Sequence, residues 1–175
     1  VDFSVIQDKL KKDKILFLDV YSYAAVAIII DKEKGLLIEK RNERLDDPWA
    51  GQFALPGGHF KKEDIDLLNT ITREVQEETG IDLKSIKSMG YFGPFSPRNK
   101  LDLLVYVFVY ILDKNNGNPE LKQSSETSYL GWVTLDELKK GRKEMDGEIV
   151  FNIREGIIWG MSARILDTFM RMLEN

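Results

Sequence analysis

The sequence predicts an α/β fold, an α/β/α sandwich with a mixed β-sheet, and three observations predict it. Residues 25–30 and 101–112 are nearly continuous apolar runs of strand length, the pattern of central strands buried on both faces. A long helical pattern follows a Pro56-Gly57-Gly58 turn, and a second spans Ile157 to Leu173. Strands, helix, strands and helix in that order require a sheet covered on both sides.

The 175 residues read as one domain, 1–175, long enough to bury a sizeable core. A net charge of -4 argues against a groove for long RNA or DNA, whose binders are basic. A small anionic substrate remains compatible if metal ions supply positive charge locally. The absence of cysteine excludes disulfides, thiolate ligands and cysteine nucleophiles, and suits the cytoplasm, where the protein is expected. Neither a signal-peptide pattern nor an apolar run of membrane-spanning length is present. Exposed strands and Trp49 leave a homodimer open.

Residues 4–12 suit a short helix capped by Ser4, with Val5, Ile6 and Leu10 inward. Residues 15–41 read as strand, strand, turn and strand, with DKEKG as the hairpin turn. In the polar loop RNERLDDPWAGQ, Arg41 and Arg44 carry guanidinium forks suited to phosphate oxygens, although Arg44 equally suits a surface pair with Asp46 or Asp47. Trp49 either covers the core or stacks on an adenine ring. Phe53 and Leu55 form a short strand into the Gly57-Gly58 turn, which lets backbone approach a ligand. His59, the only histidine, suits a substrate contact better than a general base.

The next helix is expected to begin near Glu63 or Asp64. Ile65, Leu68, Ile71, Thr72 and Val75 form its buried sector, and Glu74, Glu77 and Glu78 share another. Acidic helix faces are ordinarily just solvated. Here the Gly-Gly turn, the third carboxylate, the Arg73/Glu77 pair and the helix-ending Gly80 favour a site for a hard divalent cation, Mg2+ or Mn2+.

Beyond the helix, Tyr91, Phe92, Phe95 and Arg98 are candidates to line a pocket in a strand-then-loop segment. Residues 101–112 are a core strand. Glu126 ends a turn-rich loop before a strand at Tyr129 to Val133, where it reads either as a further site carboxylate or as a solvated side chain. Thr134 and Glu137 form a capping box, and GRKEMDGE reads as a loop. In the final helix Ile158, Met161, Ile165, Phe169 and Met172 recur at core spacing, with Gly160 and Ala163 permitting close packing.

The segment REVQEETGI resembles the second half of the Nudix box, G-x5-E-x7-R-E-U-x-E-E-x-G-U with U apolar, at Arg73, Glu74, Val75, Glu77, Glu78, Gly80 and Ile81. Gly58 to Arg73 is one residue longer than the common spacing, and Asp64 stands in place of the isolated glutamate. That longer form resembles the coenzyme A diphosphatase branch, GQVxFPGGxxDxxDxSxxxTxxREAxEEIG, with which Gly51, Gln52, Pro56, Gly57, Gly58, Asp64, Thr70 and Arg73 align without a gap. Lys61 and Asp66 depart from it, and RLDDPWAG replaces its usual LRxHxG. IIWGMSARIL, residues 157–166, resembles its C-terminal IWGxTAxIL.

The resemblance, from about Val26 to Leu166, implies the Nudix fold and metal-dependent hydrolysis of the pyrophosphate bond in nucleoside diphosphate-X compounds. It leans to coenzyme A and its derivatives. ADP-ribose, NADH, oxidised nucleoside triphosphates and dinucleoside polyphosphates are the alternatives. It implies Mg2+ or Mn2+ on Glu74, Glu77, Glu78 and the Gly58 carbonyl, with Glu77 as general base, Glu126 as the second candidate and Arg73 orienting Glu77. Asp64 becomes an outer group or a helix cap. Arg41, Arg44, Trp49, His59, Phe95 and Arg98 become substrate contacts, and Lys61, Lys62 and Arg98 candidates for a 3'-phosphate. A nucleotide-sensing module is the non-enzymatic alternative; retention of every glutamate in REVQEE favours the enzyme.

Overall fold

Strand β1 (Ser22–Asp31) is the axis of the computed structural model, which describes residues 1–42, 51–116 and 119–174. Its Ala-Val-Ile run is buried on both faces, and it pairs in parallel along its whole length with β6 (Leu103–Leu112). Antiparallel β5 (Ser88–Phe95) flanks β6. On the opposite edge β1 meets β2 (Gly35–Arg41) only at the hairpin end, at Ile30↔Leu36 and Asp31↔Gly35. Asp31 ties that turn by accepting from the Glu33 and Lys34 amides at 2.8 and 3.0 Å.

Past the hairpin the two strands diverge. β4 (Gly57–His59) takes β1's edge at Ala24–Val26, while β2 pairs with β3 (Phe53–Ala54) and β7 (Thr127–Val133). The sheet is mixed, as predicted, and split on one side of β1.

The period of two along β1 divides the core. Ala25, Ala27 and Ile29 face Leu67, Ile71 and Val75 of α1 (Leu67–Thr79). Ile28 and Ile30 face Ala163, Ile165, Leu166 and Phe169 of α3 (Gly160–Glu174). The sheet therefore lies between the helices. α2 (Leu135–Gly141) and a second sheet, ordered β10 (Gly156–Ile158), β9 (Glu148–Ile153), β8 (Arg142–Met145), add Leu138, Phe151, Ile153 and Ile158 to the α3 side. Thr134 caps α2 as expected, accepting from the Glu137 amide at 3.0 Å. Among the described residues no helix is long and apolar enough to cross a membrane.

Several local expectations are corrected. Residues Phe3–Lys9 form a 3-10 turn capped by Asp2 rather than a helix capped by Ser4, although Ile6 and Leu10 are buried. Residues 15–20 form no strand: β4 and β6 already occupy the edges of β1, and Leu16, Leu18 and Val20 are exposed. GRKEMDGE is not a loop but the β8–β9 hairpin. The last helix begins at Gly160, because Ile157 and Ile158 belong to β10. The box helix also begins later than expected. Lys62–Asp64 is a separate 3-10 turn, Ile65 has φ +74, and Asp66 caps α1 through the Asn69 amide at 2.8 Å. Leu67, Thr70, Ile71 and Val75 are therefore buried, while Ile65 and Leu68 are exposed.

Candidate active site

α1 ends at Gly80, in the left-handed conformation that releases the chain from the helix. Its acidic residues do not share one environment. Glu74 and Glu78, four apart, lie on one ridge and reach the Gly57-Gly58 strand. Glu78 Oε2 accepts from the Gly57 amide at 3.0 Å. The Glu74 carboxylate lies so close to Gly58 that a Cβ there would stand 2.4 Å from its Cδ. Gly58 is thus required for the approach of Glu74. Glu77 has a side chain 59% exposed and approaches the same Arg73 Nη1 as Glu74, at 3.7 Å against 2.7 Å.

The split in the sheet brings in a carboxylate that the sequence reading passed over. Glu39 projects from β2 toward α1 and is only 1% exposed, and among the described residues its carboxylate has no polar partner beyond the neighbouring Glu78 carboxyl. Burial pushes its protonation upward, and the charges of Glu74 and Glu126 add to this; the neighbouring Glu78 and the charge of Arg41 oppose it. Glu78 is also pushed upward, first by burial and then by the charges of Glu39 and Glu74, with the Gly57 amide opposing. Two buried carboxylates side by side must share a proton or be neutralised by a cation. The sequence sign of Glu39 is faint: it follows the apolar run Leu36 to Ile38 but is itself followed by Lys40 and Arg41, so it reads as the polar end of the strand.

This donor set suits a hard divalent ion: it is all oxygen, and it combines the buried Glu39 with the half-buried Glu74 and Glu78. Among the described residues no three acidic or histidine side chains already converge as a metal cage. Arg73 holds Glu74 Oε1 at 2.7 Å, a contact an ion would have to replace.

Arg73 makes the expected i,i+4 pair with Glu77 only loosely and has a tighter partner. Its guanidinium grips Asp64 through Nε at 2.8 Å and Nη2 at 2.9 Å, whereas Glu77 is 3.7 Å away. Asp64 caps the 3-10 turn rather than α1. It accepts from the Lys61 amide and the Thr70 hydroxyl, both at 2.9 Å, and fastens the turn before α1 to the helix. Those bonds, Arg73 foremost, hold its carboxyl well below the ordinary range and raise the Arg73 guanidinium in turn.

On the α3 side of the Gly57-Gly58 strand lies a cavity of about 190 Å3. Ala24, Val26, Leu103, Val105, Met161 and Ile165 supply apolar wall; Arg41, Gln52, His59 and Ser162 add polar groups, and Trp159 lines it with an indole 49% exposed. Arg41 and His59 thus both line this cavity. Burial, then the charge of Lys100, lowers the His59 pKa from its ordinary value against the opposing charge of Glu74, which favours the neutral, hydrogen-bonding form of the imidazole.

Other candidates are placed elsewhere. Phe95 packs on Phe92, with ring centroids 5.9 Å apart, and is not part of the cavity wall. Arg98 pairs with Glu148 of β9 at 2.5 and 2.8 Å. Tyr91 and Phe92 are core residues, the Tyr91 hydroxyl donating to the Asp13 carbonyl at 3.0 Å. The side chain of Glu126 is exposed beside β7, near enough for its charge to act on Glu39; its carbonyl accepts from the Asn42 amide at 2.9 Å. Arg44 and Trp49 lie outside the described residues.

The family model described as the NUDIX domain matches residues 21–152. The chain is 28% identical over 160 residues to Nudix hydrolase 15, mitochondrial, of Arabidopsis thaliana, covering 82% of this chain and 55% of that protein. It is 32% identical over 133 residues to ADP-ribose pyrophosphatase of Methanocaldococcus jannaschii, covering 75% and 74%. It is 32% identical over 107 residues to mitochondrial coenzyme A diphosphatase NUDT8 of Mus musculus, covering 59% and 51%. The chain spans about half the length of the plant and mouse relatives. Among solved structures, the NUDIX domain of Shewanella oneidensis NrtR complexed with ADP ribose has a TM-score of 0.62 at 14% identity, covering 89% of this chain and 90% of that one. The MutT protein from Methanosarcina mazei Go1 has a TM-score of 0.56 at 22% identity, covering 90% and 97%. These two share the fold.

Proposed function

The chain belongs to the NUDIX family, and from that premise we propose that it hydrolyses the pyrophosphate bond of nucleoside diphosphate-X compounds, with coenzyme A and its derivatives as the leading substrates. The observation that carries this reading is the set of carboxylates behind Gly57-Gly58, Glu39 buried and Glu74 and Glu78 half-buried, adjoining a mostly apolar cavity. The branch assignment rests on the ungapped GQ-to-REVQEETG match, the IIWGMSARIL segment and the similarity to the mouse coenzyme A diphosphatase. ADP-ribose is the second reading, favoured by the similarity to the archaeal ADP-ribose pyrophosphatase over 75% of this chain.

Glu74 and Glu78, with Glu39, Glu77 and the Gly58 carbonyl, would hold Mg2+ or Mn2+. When bound, such an ion neutralises the nonbridging phosphate oxygens and makes water a better nucleophile. Glu77, exposed and 3.7 Å from Arg73, has room to reach an attacking water and accept its proton; Glu126 is the second candidate. Arg41 would orient a phosphate through its donor fork, and neutral His59 would hydrogen-bond the substrate. Arg73 would restrain Glu74 and the start of α1.

The test is product analysis with Mg2+ or Mn2+ over coenzyme A, ADP-ribose, NADH and oxidised dGTP. Release of 3',5'-ADP and 4'-phosphopantetheine, reduced about 100-fold or more by Glu77→Gln in a folded protein, supports the reading. Preference for ADP-ribose would retain the diphosphatase and reject the branch. Ligand binding with no turnover of any of these compounds would support a nucleotide sensor instead.

A further inference from the structure

The start of α1 leaves two apolar side chains in solvent, Ile65 at 78% exposure and Leu68 at 44%. They border a groove of about 570 Å3 whose other wall is the segment 11–17, with Ile15 and Phe17. That segment is fixed in place. Lys11 exchanges both backbone hydrogen bonds with Tyr91 of β5 at 2.8 Å, and the Leu18 amide donates to the Tyr23 hydroxyl at 2.8 Å. Phe17 stacks on Phe60 with ring centroids 4.6 Å apart. With Phe17 held there, its neighbours Leu16 and Leu18 are left 76% and 58% exposed. These side chains open on the order of 500 Å2 of apolar surface to water, as much as the largest patch of an ordinary monomer.

Charge decides what covers this patch. Lys11, Lys12 and Lys14 stand on the wall of the segment and Asp66 on the wall of α1. Asp13 also lies on the lysine side, where its carboxylate accepts from the Tyr91 hydroxyl at 3.2 Å, and Asp66 caps α1 through Oδ1. A groove basic on one wall and acidic on the other is complementary to itself after a two-fold rotation. A membrane surface or a polyanion would instead call for one sign across the whole face. Area agrees. The apolar patch, extended by the lysine stems, approaches the roughly 800 Å2 per partner of a standard interface.

We infer that this groove is the contact between two copies of the chain. Ile65 of each copy enters the groove of the other, and Asp66 of each faces Lys11, Lys12 and Lys14 of the other. The contact gives Ile65, held at φ +74, the burial that a single copy lacks. An interface of this size with a polar rim is reversible, so the dilute chain is single.

The experiment is sedimentation equilibrium over about 1–200 μM chain at low and high salt. It compares wild type with Ile65→Lys, Lys14→Glu, the reversed pair Lys14→Glu with Asp66→Lys, and Met145→Lys at the exposed tip of the β8–β9 hairpin. The wild type is expected to dimerise in the micromolar range, more weakly at high salt. Ile65→Lys and Lys14→Glu are each expected to weaken the dimer at least about tenfold. The reversed pair is expected to return within about threefold of wild type, and Met145→Lys to change nothing. Should Ile65→Lys not fold, Leu16→Lys tests the face from its other wall and is expected to produce the same loss.

A wild type that stays single at the highest concentration, a dimer unchanged by a folded Ile65→Lys, or no recovery in the reversed pair overturns the inference. Single chains that instead bind vesicles of phosphatidylserine and phosphatidylcholine assign the face to a membrane surface and overturn it as well.

Discussion

Arg73 and Asp64 are joined by two parallel hydrogen bonds, Nε to Oδ1 at 2.8 Å and Nη2 to Oδ2 at 2.9 Å, across the break that separates the 3-10 turn from α1. The fork fits the carboxylate bidentately, and Asp64 is 7% exposed, so solvent screens the pair little.

Asp64→Asn is therefore expected to destabilise the protein at pH 7 by about 2–3 kcal/mol, less than the loss of a fully buried pair because Arg73 is a quarter exposed. The folded-state pKa of Asp64 is depressed, so its stabilisation is present above the ordinary carboxylate value and is lost as pH falls below it. Thermal melts of both proteins from pH 7 to pH 2 check this. The difference in Tm is expected to shrink below about pH 4.

Glu39→Gln is expected to have the opposite sign. The raised pKa values of Glu39 and Glu78 mean that the metal-free folded protein holds protons that the unfolded chain releases above the ordinary carboxylate range. Their contribution therefore becomes less favourable as pH rises through that window. Removing one charge is expected to stabilise the metal-free protein at pH 8 by about 1–2 kcal/mol, roughly 3–6 °C in Tm. The same variant is expected to lose most of the Tm increase that Mn2+ gives the wild type. Melts with and without chelator measure both effects.

The adjacent glycines are expected to separate function from folding. Gly57→Ala places a Cβ 2.1 Å from the Ala25 carbonyl oxygen, a backbone clash that should cost several kcal/mol and appear as lost soluble protein. Gly58→Ala meets the Glu74 carboxylate, a side chain that can rotate away. It is expected to fold with Tm within a few degrees of wild type and to lose at least about tenfold in activity and in apparent Mn2+ affinity.

Ile65 has φ +74 although it is β-branched, and it is 78% exposed. Little burial offsets the strain, so Ile65→Gly is expected to stabilise the protein by about 1 kcal/mol. Urea denaturation at pH 7 checks it: the midpoint should rise with an unchanged slope. A fall in the midpoint would mean that contacts of the Ile65 side chain outweigh the strain.

Much of this molecule is legible in its amino-acid order. The apolar runs around Ile28 and Val107 could only be central strands, and REVQEETG identified the acidic helix because helical period and charge are local properties. The place of Arg73 was not legible. Its i,i+4 partner Glu77 was the sequence choice, but Asp64, nine residues away, offers a buried carboxylate and a bidentate fit. The start of the helix was missed for a related reason, since no local pattern marks an isoleucine with positive φ.

The sequence by itself determined the alternation of strands and helices, the acidic character of α1 and the Gly-Gly turn, because each follows from residue order within a few turns of chain. Only the tertiary structure decided that β1 and β2 diverge, that Glu39 enters the split to face Glu78, and that Trp159 borders a cavity reaching Gly58. Those pairings join residues about 40 and 100 positions apart, brought together by sheet register and helix packing. Their physical consequence, burial of like charges beside an apolar slot, exists only once the chain has closed around it.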